Sequence, residues 1–167
     1  ISYNELKQQF ISFYDYTPSM YISIGDMLLS TNTTLKSLYQ HGVGEYNTFY
    51  GIKYPSYIIF NLNPEPYFDC VFDNINYKSE VYLNNVDQSD ITLTDIQAYN
   101  DYQSTLLTPL VNNRNGNLRR RFRDWNAEIP REGRNRIRGP WIKLKLQFDN
   151  EYNNKLILHD VIISYTV

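Results

Sequence analysis

Residues 117–148 read NLRRRFRDWNAEIPREGRNRIRGPWIKLKLQF, and the fold class turns on how this stretch alternates. It parses as a strand over 118–125, an arginine-loaded loop IPREGRNRIRG over 129–139, and a second strand over 141–148. A period of two places Arg119, Arg121, Arg123 and Trp125 on one face of the first strand, and Leu118, Arg120, Phe122 and Asp124 on the other. In the second, Ile142, Leu144, Leu146 and Phe148 alternate with Trp141, Lys143, Lys145 and Gln147, the pattern of a half-buried strand. The expectation is a strand pair with its apolar side on a core and its cationic side outward.

Working outward, the charge is unevenly spread. All nine arginines lie between Arg114 and Arg138 beside three acids, Asp124, Glu128 and Glu132, a local balance of +6. The other residues set seven lysines against fifteen acids, or −8, so the net −2 conceals one cationic segment on an acidic body. A chain of 167 residues fits one β-rich domain over 1–167 that buries roughly 70% of its unfolded surface. The single cysteine, Cys70, excludes an internal disulfide and any multi-cysteine metal site. No run approaches the ~20 apolar residues of a membrane-spanning helix. The chain opens on Ile1 rather than Met, so it reads as a fragment of a longer polypeptide.

The flanking segments continue the β pattern. Lys7–Thr17 alternates with aromatics on both faces and reads as a well-covered strand. Gly25-Asp26 between YISI and MLLS signals a tight hairpin. Leu38–His41 is a further short strand, and HGVGEYNTFYGIKYP a structured loop. Ser56–Leu62 (SYIIFNL), apolar at nearly every position, reads as a central strand. Asn63-Pro64-Glu65 resembles a helix start, and Phe68, Val71, Phe72 and Ile75 follow at i, i+3, i+4, i+7, predicting one short helix over 64–75. Strands are expected over 77–83, over 93–102 with Ile96, Ala98 and Tyr102 on one face, and over 106–111, where Pro109 suits an edge. Asn115-Gly116 is a hairpin signal leading into the arginine strand. In Lys155–Val167, Ile157, His159, Val161, Ile163, Tyr165 and Val167 are expected on one face. The sum is eight to ten short strands and one helix: a mainly β, antiparallel sandwich or jelly-roll-like domain.

Residues able to carry chemistry are few. His41 and His159 have no serine or cysteine partner by spacing. His41 reads as a loop residue, and His159 as a histidine hydrogen-bonded in or near the core. Cys70, between apolar positions, reads as a buried inert thiol. Asp87, Asp90 and Asp95 could gather a calcium ion but lack its loop pattern, and read as solvated turn acids. Glu128 and Glu132 could form a glycosidase carboxylate pair, although acids among arginines more often serve as salt-bridge partners. No phosphate-binding glycine motif occurs. These residues favour a protein with no enzymatic activity, cofactor or metal.

The arginines carry a stronger signal, because a merely solvated face does not select Arg over Lys. Arginine is favoured where a planar fork must grip carboxylate, phosphate or an aromatic face. Two partners fit: nucleic-acid phosphate, with Trp125 and Trp141 as stacking groups, or an acidic protein surface. The acidic remainder of the chain favours the second.

The segment RRRFRDWNAEIPREGRNRIRGPWIKLKLQF followed by KLILHDVIISYTV resembles the C-terminal region of the muzzle, or stabilisation, proteins of crAss-like bacteriophages, podoviruses of gut Bacteroides-type hosts. The resemblance rests on R-x-F-R-x-W at Arg120–Trp125, I-P-R at Ile129–Arg131, R-x-R-x-x-W-I-K at Arg136–Lys143 and L-H-D-V at Leu158–Val161. QQFISFYDYTPSMYISIGDMLLSTN, LYQHGVGEYNTFYG and YPSYIIFNLNP extend it over nearly the whole chain. It implies an architectural virion component of the phage tail, made in the bacterial host cytoplasm and acting through subunit assembly contacts. Its partners would be other copies of itself and neighbouring tail proteins, with contact to DNA passing through the tail left open. The expected interface set is Arg119, Arg121, Arg123, Trp125, Arg131, Arg134, Arg136, Arg138 and Trp141. The rival readings are a carbohydrate- or receptor-binding β-sandwich, and a nucleic-acid binder using Arg119, Arg121 and Arg123.

Overall fold

The computed structural model describes residues 1–167 and contains strands and turns but no helix. The chain divides into two compact units, Ile1–Tyr54 and Pro55–Val167.

In the first unit, β1 (Ser2–Asn4) pairs with β2 (Gln9–Ser12), and β3 (Met20–Ile24), β4 (Met27–Thr31) and β5 (Leu38–Gln40) form an antiparallel sheet. The β3–β4 hairpin turns at Gly25-Asp26 as the sequence indicated, with Gly25 at φ +57°. β6 (Thr48–Phe49) and β7 (Ile52–Lys53) make a second hairpin inside the loop expected before Pro55. Its two turn residues, Tyr50 and Gly51, both have positive φ, the combination a two-residue hairpin of this twist demands. The buried centre is small. Ser30 Oγ lies 2.6 Å from both His41 Nε2 and the Tyr50 hydroxyl, and Tyr16 stacks on Phe49 and His41. The strand expected over 7–17 is limited to 9–12, and Phe10, Ile11 and Phe13 are exposed rather than covered. A two-stranded ribbon offers no second layer to bury both of its faces.

The second unit holds β8 (Ser56–Leu62), β9 (Cys70–Leu83), β10 (Val86–Asp87), β11 (Asp95–Tyr99), β12 (Thr108–Pro109), β13 (Leu118–Arg121), β14 (Asp124–Glu128), β15 (Arg138–Gly139), β16 (Ile142–Phe148) and β17 (Lys155–Thr166). One sheet runs β12-β11-β16-β8, all antiparallel. The other is built on β9: β17 runs along one edge, β10, β14 and β15 take successive parts of the other, and β13 lies outside β14. Phe72, Ile75, Tyr77, Val81, Trp125 and Ala127 from this sheet pack with Ile96, Ala98, Ile142, Leu144, Leu146 and Phe148 from the first in one buried cluster. The expected antiparallel β-sandwich is therefore present. Within it, burial pushes the Tyr77 phenol up, partly offset by its Thr92 hydrogen bond.

Two bulges account for the main errors of pattern. The helix expected over 64–75 is absent: residues 65–68 make a turn, Phe68 is 57% exposed, and β9 starts at Cys70. Along β9, Ser164 pairs with Asn74 and Tyr165 with Phe72, leaving Asp73 as an extra residue. The bulge lets Phe72 and Ile75, three apart, both point inward, a spacing that mimics a helical stripe. Cys70 is fully buried, but in a strand, and burial pushes its thiol up. In β17 the pairing skips His159, so Leu156 and Leu158 face the core before the bulge and Val161 and Ile163 after it. The single face expected through Ile157, His159 and Tyr165 is thereby broken, and His159 is exposed rather than near the core.

Ser56–Leu62 forms a strand as expected, but at a sheet edge, paired only with β16, with Tyr57, Ile58 and Ile59 exposed. Tyr102 lies beyond the end of β11 and is solvent-exposed, whereas Ile96 and Ala98 are fully buried. Pro109 lies in the edge strand β12.

Candidate functional site

The arginine stretch is a hairpin rather than one strand. Leu118–Arg121 and Asp124–Glu128 pair antiparallel, with Phe122 and Arg123 as the two turn residues. Trp125 therefore shares no outward face with Arg119, Arg121 and Arg123. Pairing with Tyr77 on β9 turns it inward, and it is 2% exposed. Nor is this hairpin paired with β16, which belongs to the other sheet. Phe122, expected beside Leu118 on the core side, stands at the tip and is 85% exposed.

Within the hairpin, Arg119 and Arg120 are committed to the fold. Arg119 donates to the carbonyls of Asn113, Arg114 and Leu118. Arg120 pairs with Asp90 at 2.8 Å, donates through Nε to the Phe122 carbonyl at 2.9 Å, and lies 5.5 Å over the Trp125 ring. Arg121 and Arg123 make no ion pair.

The loop 129–139 is fixed at both ends. Ile129 and Ile137 are buried; Ile129 N donates to Asp73 O at 2.9 Å, and Phe72 N to Ile137 O at 3.1 Å. Gln103 accepts from Arg138 N at 2.8 Å and donates to Arg136 O at 3.3 Å, while Asn100 donates to Arg138 O at 2.9 Å. Arg131 pairs with Glu128 at 3.0 Å and Arg136 with Asp73, whereas Arg134 and Arg138 reach solvent without an acidic partner. A groove of about 540 Å³ brings Arg134, Arg136 and Arg138 together with Asp69, Tyr102 and Gln103. Trp141 is half-buried, with Lys143 Nζ 5.6 Å from its ring. The structure thus brings together the loop arginines, and leaves Arg119 and Trp125 as structural residues. Because Arg134 and Arg138 contact nothing acidic, replacing both with alanine should change unfolding free energy by no more than about 0.5 kcal/mol, read by urea denaturation.

Other candidate groups are separated. His41 belongs to the Ser30–Tyr50 network, and His159 Nε2 lies 3.5 Å from Glu80. Glu128 is paired with Arg131, and Glu132 accepts from Ser104 N at 3.4 Å. No three His, Cys, Asp or Glu residues cluster as a metal set, and no helix is long and apolar enough to cross a membrane. The Glu80 carboxyl is held below its ordinary value of 4.5, first by the Tyr82 hydroxyl donating at 2.9 Å, with help from His159. A depressed folded-state pKa adds stability that is present above the unfolded value and lost as pH falls through the folded one. The melting temperature should therefore drop on acidification below about pH 4.5, and Glu80→Gln should remove part of that drop in a pH series of melting curves.

The profile of the Crassvirus muzzle protein C-terminal domain matches residues 44–132, more than half of the sequence. The chain belongs to that family. It is also 30% identical over 172 residues to the Muzzle protein of Bacteroides phage crAss001, an alignment that covers 99% of this chain and 12% of the relative. The chain thus spans about an eighth of the length of that curated muzzle protein. The matched residues contain the whole β13–β14 hairpin and end inside the arginine loop. The arginine-rich hairpin is therefore part of the muzzle domain itself, and not an appendage to it.

Proposed function

We propose that this chain is a structural module of a bacteriophage virion, in the tail, that works through protein–protein contacts and performs no catalysis. The observation that carries the reading is the set Arg121, Arg123, Arg134 and Arg138: four arginines that form no ion pair, Arg123 acting on Glu80 only at longer range, on a chain whose remainder is acidic. Guanidinium groups presented in this way fit carboxylates on another subunit. Family membership supports the virion setting. The exposed Tyr3, Phe10, Phe13, Met20, Tyr21 and Ile24 of the first unit supply apolar surface of the kind that interfaces cover. The partners are further copies of the same protein and neighbouring tail proteins, assembled after synthesis in the host cytoplasm. Nucleic-acid binding loses one of its two stacking groups, because Trp125 is in the core.

Immunogold labelling of phage particles with an antibody to this chain tests the setting. Gold confined to tails is expected; unlabelled particles beside antigen-rich infected cells would overturn it. The arginine contact is tested by the Arg134→Ala/Arg138→Ala pair in the full-length protein. Particle yield should fall at least tenfold, the loss that about 1.4 kcal/mol of contact energy represents, and a normal yield would refute the contact.

A further inference from the structure

Phe122 is in a conformation that its side chain disfavours. It is the first of two turn residues between β13 and β14, with φ +59°, while Arg123 after it has no positive φ. A turn with positive φ only at its first central position is ordinarily made with glycine, and a bulky residue there is a genuine outlier. Such strain persists only where the surroundings enforce it. Here Arg120, fixed by Asp90 and the Trp125 ring, donates through Nε to the Phe122 carbonyl and holds the tip. Nothing in the fold benefits from the ring, which is 85% exposed. Other exposed aromatics of the second unit, Tyr67 and Tyr102, have ordinary backbone and need no explanation. A strained, anchored and solvent-facing phenylalanine does.

We propose that the tip Arg121-Phe122-Arg123 is a docking finger. Phe122 inserts into an apolar pocket on a protein partner, and Arg121 and Arg123 engage carboxylates on the pocket rim. Arg121 makes no ion pair, and Arg123 favours the charged form of Glu80 without pairing with it, so both guanidinium groups can reach an acidic rim. A buried aromatic knob with arginine neighbours is the composition of interface hot spots. A protein is favoured over nucleic acid because the rest of this chain carries an acidic excess that would repel a polyanion along any extended contact. The inference rests on the assembly reading above and names the contact it uses.

Fold and docking make opposite demands on this position, which gives the test. Phe122→Gly relieves the turn, so the melting temperature of the purified chain should stay level or rise by a few degrees. Full-length protein with the same change should yield at least tenfold fewer assembled tails. A photoreactive benzophenone amino acid in place of Phe122 should cross-link, in particles, to a protein segment whose neighbouring side chains are apolar with two or more carboxylates. The same group in place of Tyr152, exposed in the turn after β16, is the background control. Cross-links to DNA, or none above that control, would overturn the finger, as would normal tail yield with Phe122→Gly. If the chain is absent from particles altogether, the labelling experiment shows it first and the virion reading fails. Particles that contain the chain yet tolerate Phe122→Gly sink the finger alone.

Discussion

Replacing Trp125 with alanine is expected to cost about 3–5 kcal/mol of unfolding free energy, the largest single-residue effect in the chain. The indole is 2% exposed, pairs across the sheet with Tyr77, and packs in the cluster that joins the two layers. Truncation leaves a cavity that the flanking strands cannot close, since β14 is hydrogen-bonded on both sides, to β9 and β13. Arg120 would also lose the ring beneath it. Set against a typical domain stability of about 5–15 kcal/mol, the loss brings the second unit near unfolding at room temperature. Urea denaturation followed by the remaining Trp141 would measure it. A loss below about 1 kcal/mol would mean that Trp125 faces solvent, as a continuous strand over 118–125 requires.

That continuous strand was the natural reading because nothing in Arg-Phe-Arg-Asp announces a turn. Hairpins are legible where glycine or asparagine supplies the positive φ, as at Gly25-Asp26, and invisible where a phenylalanine does. The reverse error occurs at Asn115-Gly116. A turn closes there through Gly116 N to Asn113 O at 3.1 Å, but no strand pair spans it, because β12 joins β11 and β13 joins β14. Strands with clear alternation were legible to within a residue: the strand expected over 141–148 spans Ile142–Phe148, with Ile142, Leu144, Leu146 and Phe148 buried and Gln147 buried beside them. Alternation fails to report a bulge. One extra residue at Asp73 converts Phe72 and Ile75 into a helix-like pair, and one at His159 turns the second half of β17 over. Position within a sheet was equally hidden: Ser56–Leu62 has the composition of a central strand, yet only β16 flanks it.

The cationic site was legible as a segment but not residue by residue. Nine clustered arginines mark a surface, yet only the folded chain separates Arg119, spent on backbone carbonyls, from Arg134 and Arg138, which are not. The separation depends on contacts far apart in sequence, such as Arg120 with Asp90 and Arg136 with Asp73. Nothing in the sequence marked Phe122 as a turn residue.

Gly116→Ala is expected to be nearly as damaging, about 3 kcal/mol, although it adds a single methyl group outside the core. A Cβ at this position would lie 1.8 Å from the Val111 carbonyl oxygen and 2.7 Å from its carbon, and backbone cannot yield as a flexible side chain can. That carbonyl accepts from Leu118 N at 3.2 Å, while Asn117 bridges Val111 N at 2.8 Å and Pro109 O at 2.9 Å. Arg119 closes the same knot through Asn113 and Arg114. Moving Val111 away from the methyl group therefore opens several hydrogen bonds together and releases Arg119 from the fold. Gly133→Ala is the matched control: its φ is +62° but a Cβ there meets nothing within 4 Å, so only the left-handed conformation is penalised, by about 1 kcal/mol. Denaturation of the two variants side by side decides the point. Gly116→Ala should be the worse by about 2 kcal/mol, and equal or reversed losses would mean that residues 109–119 do not close on themselves around this glycine.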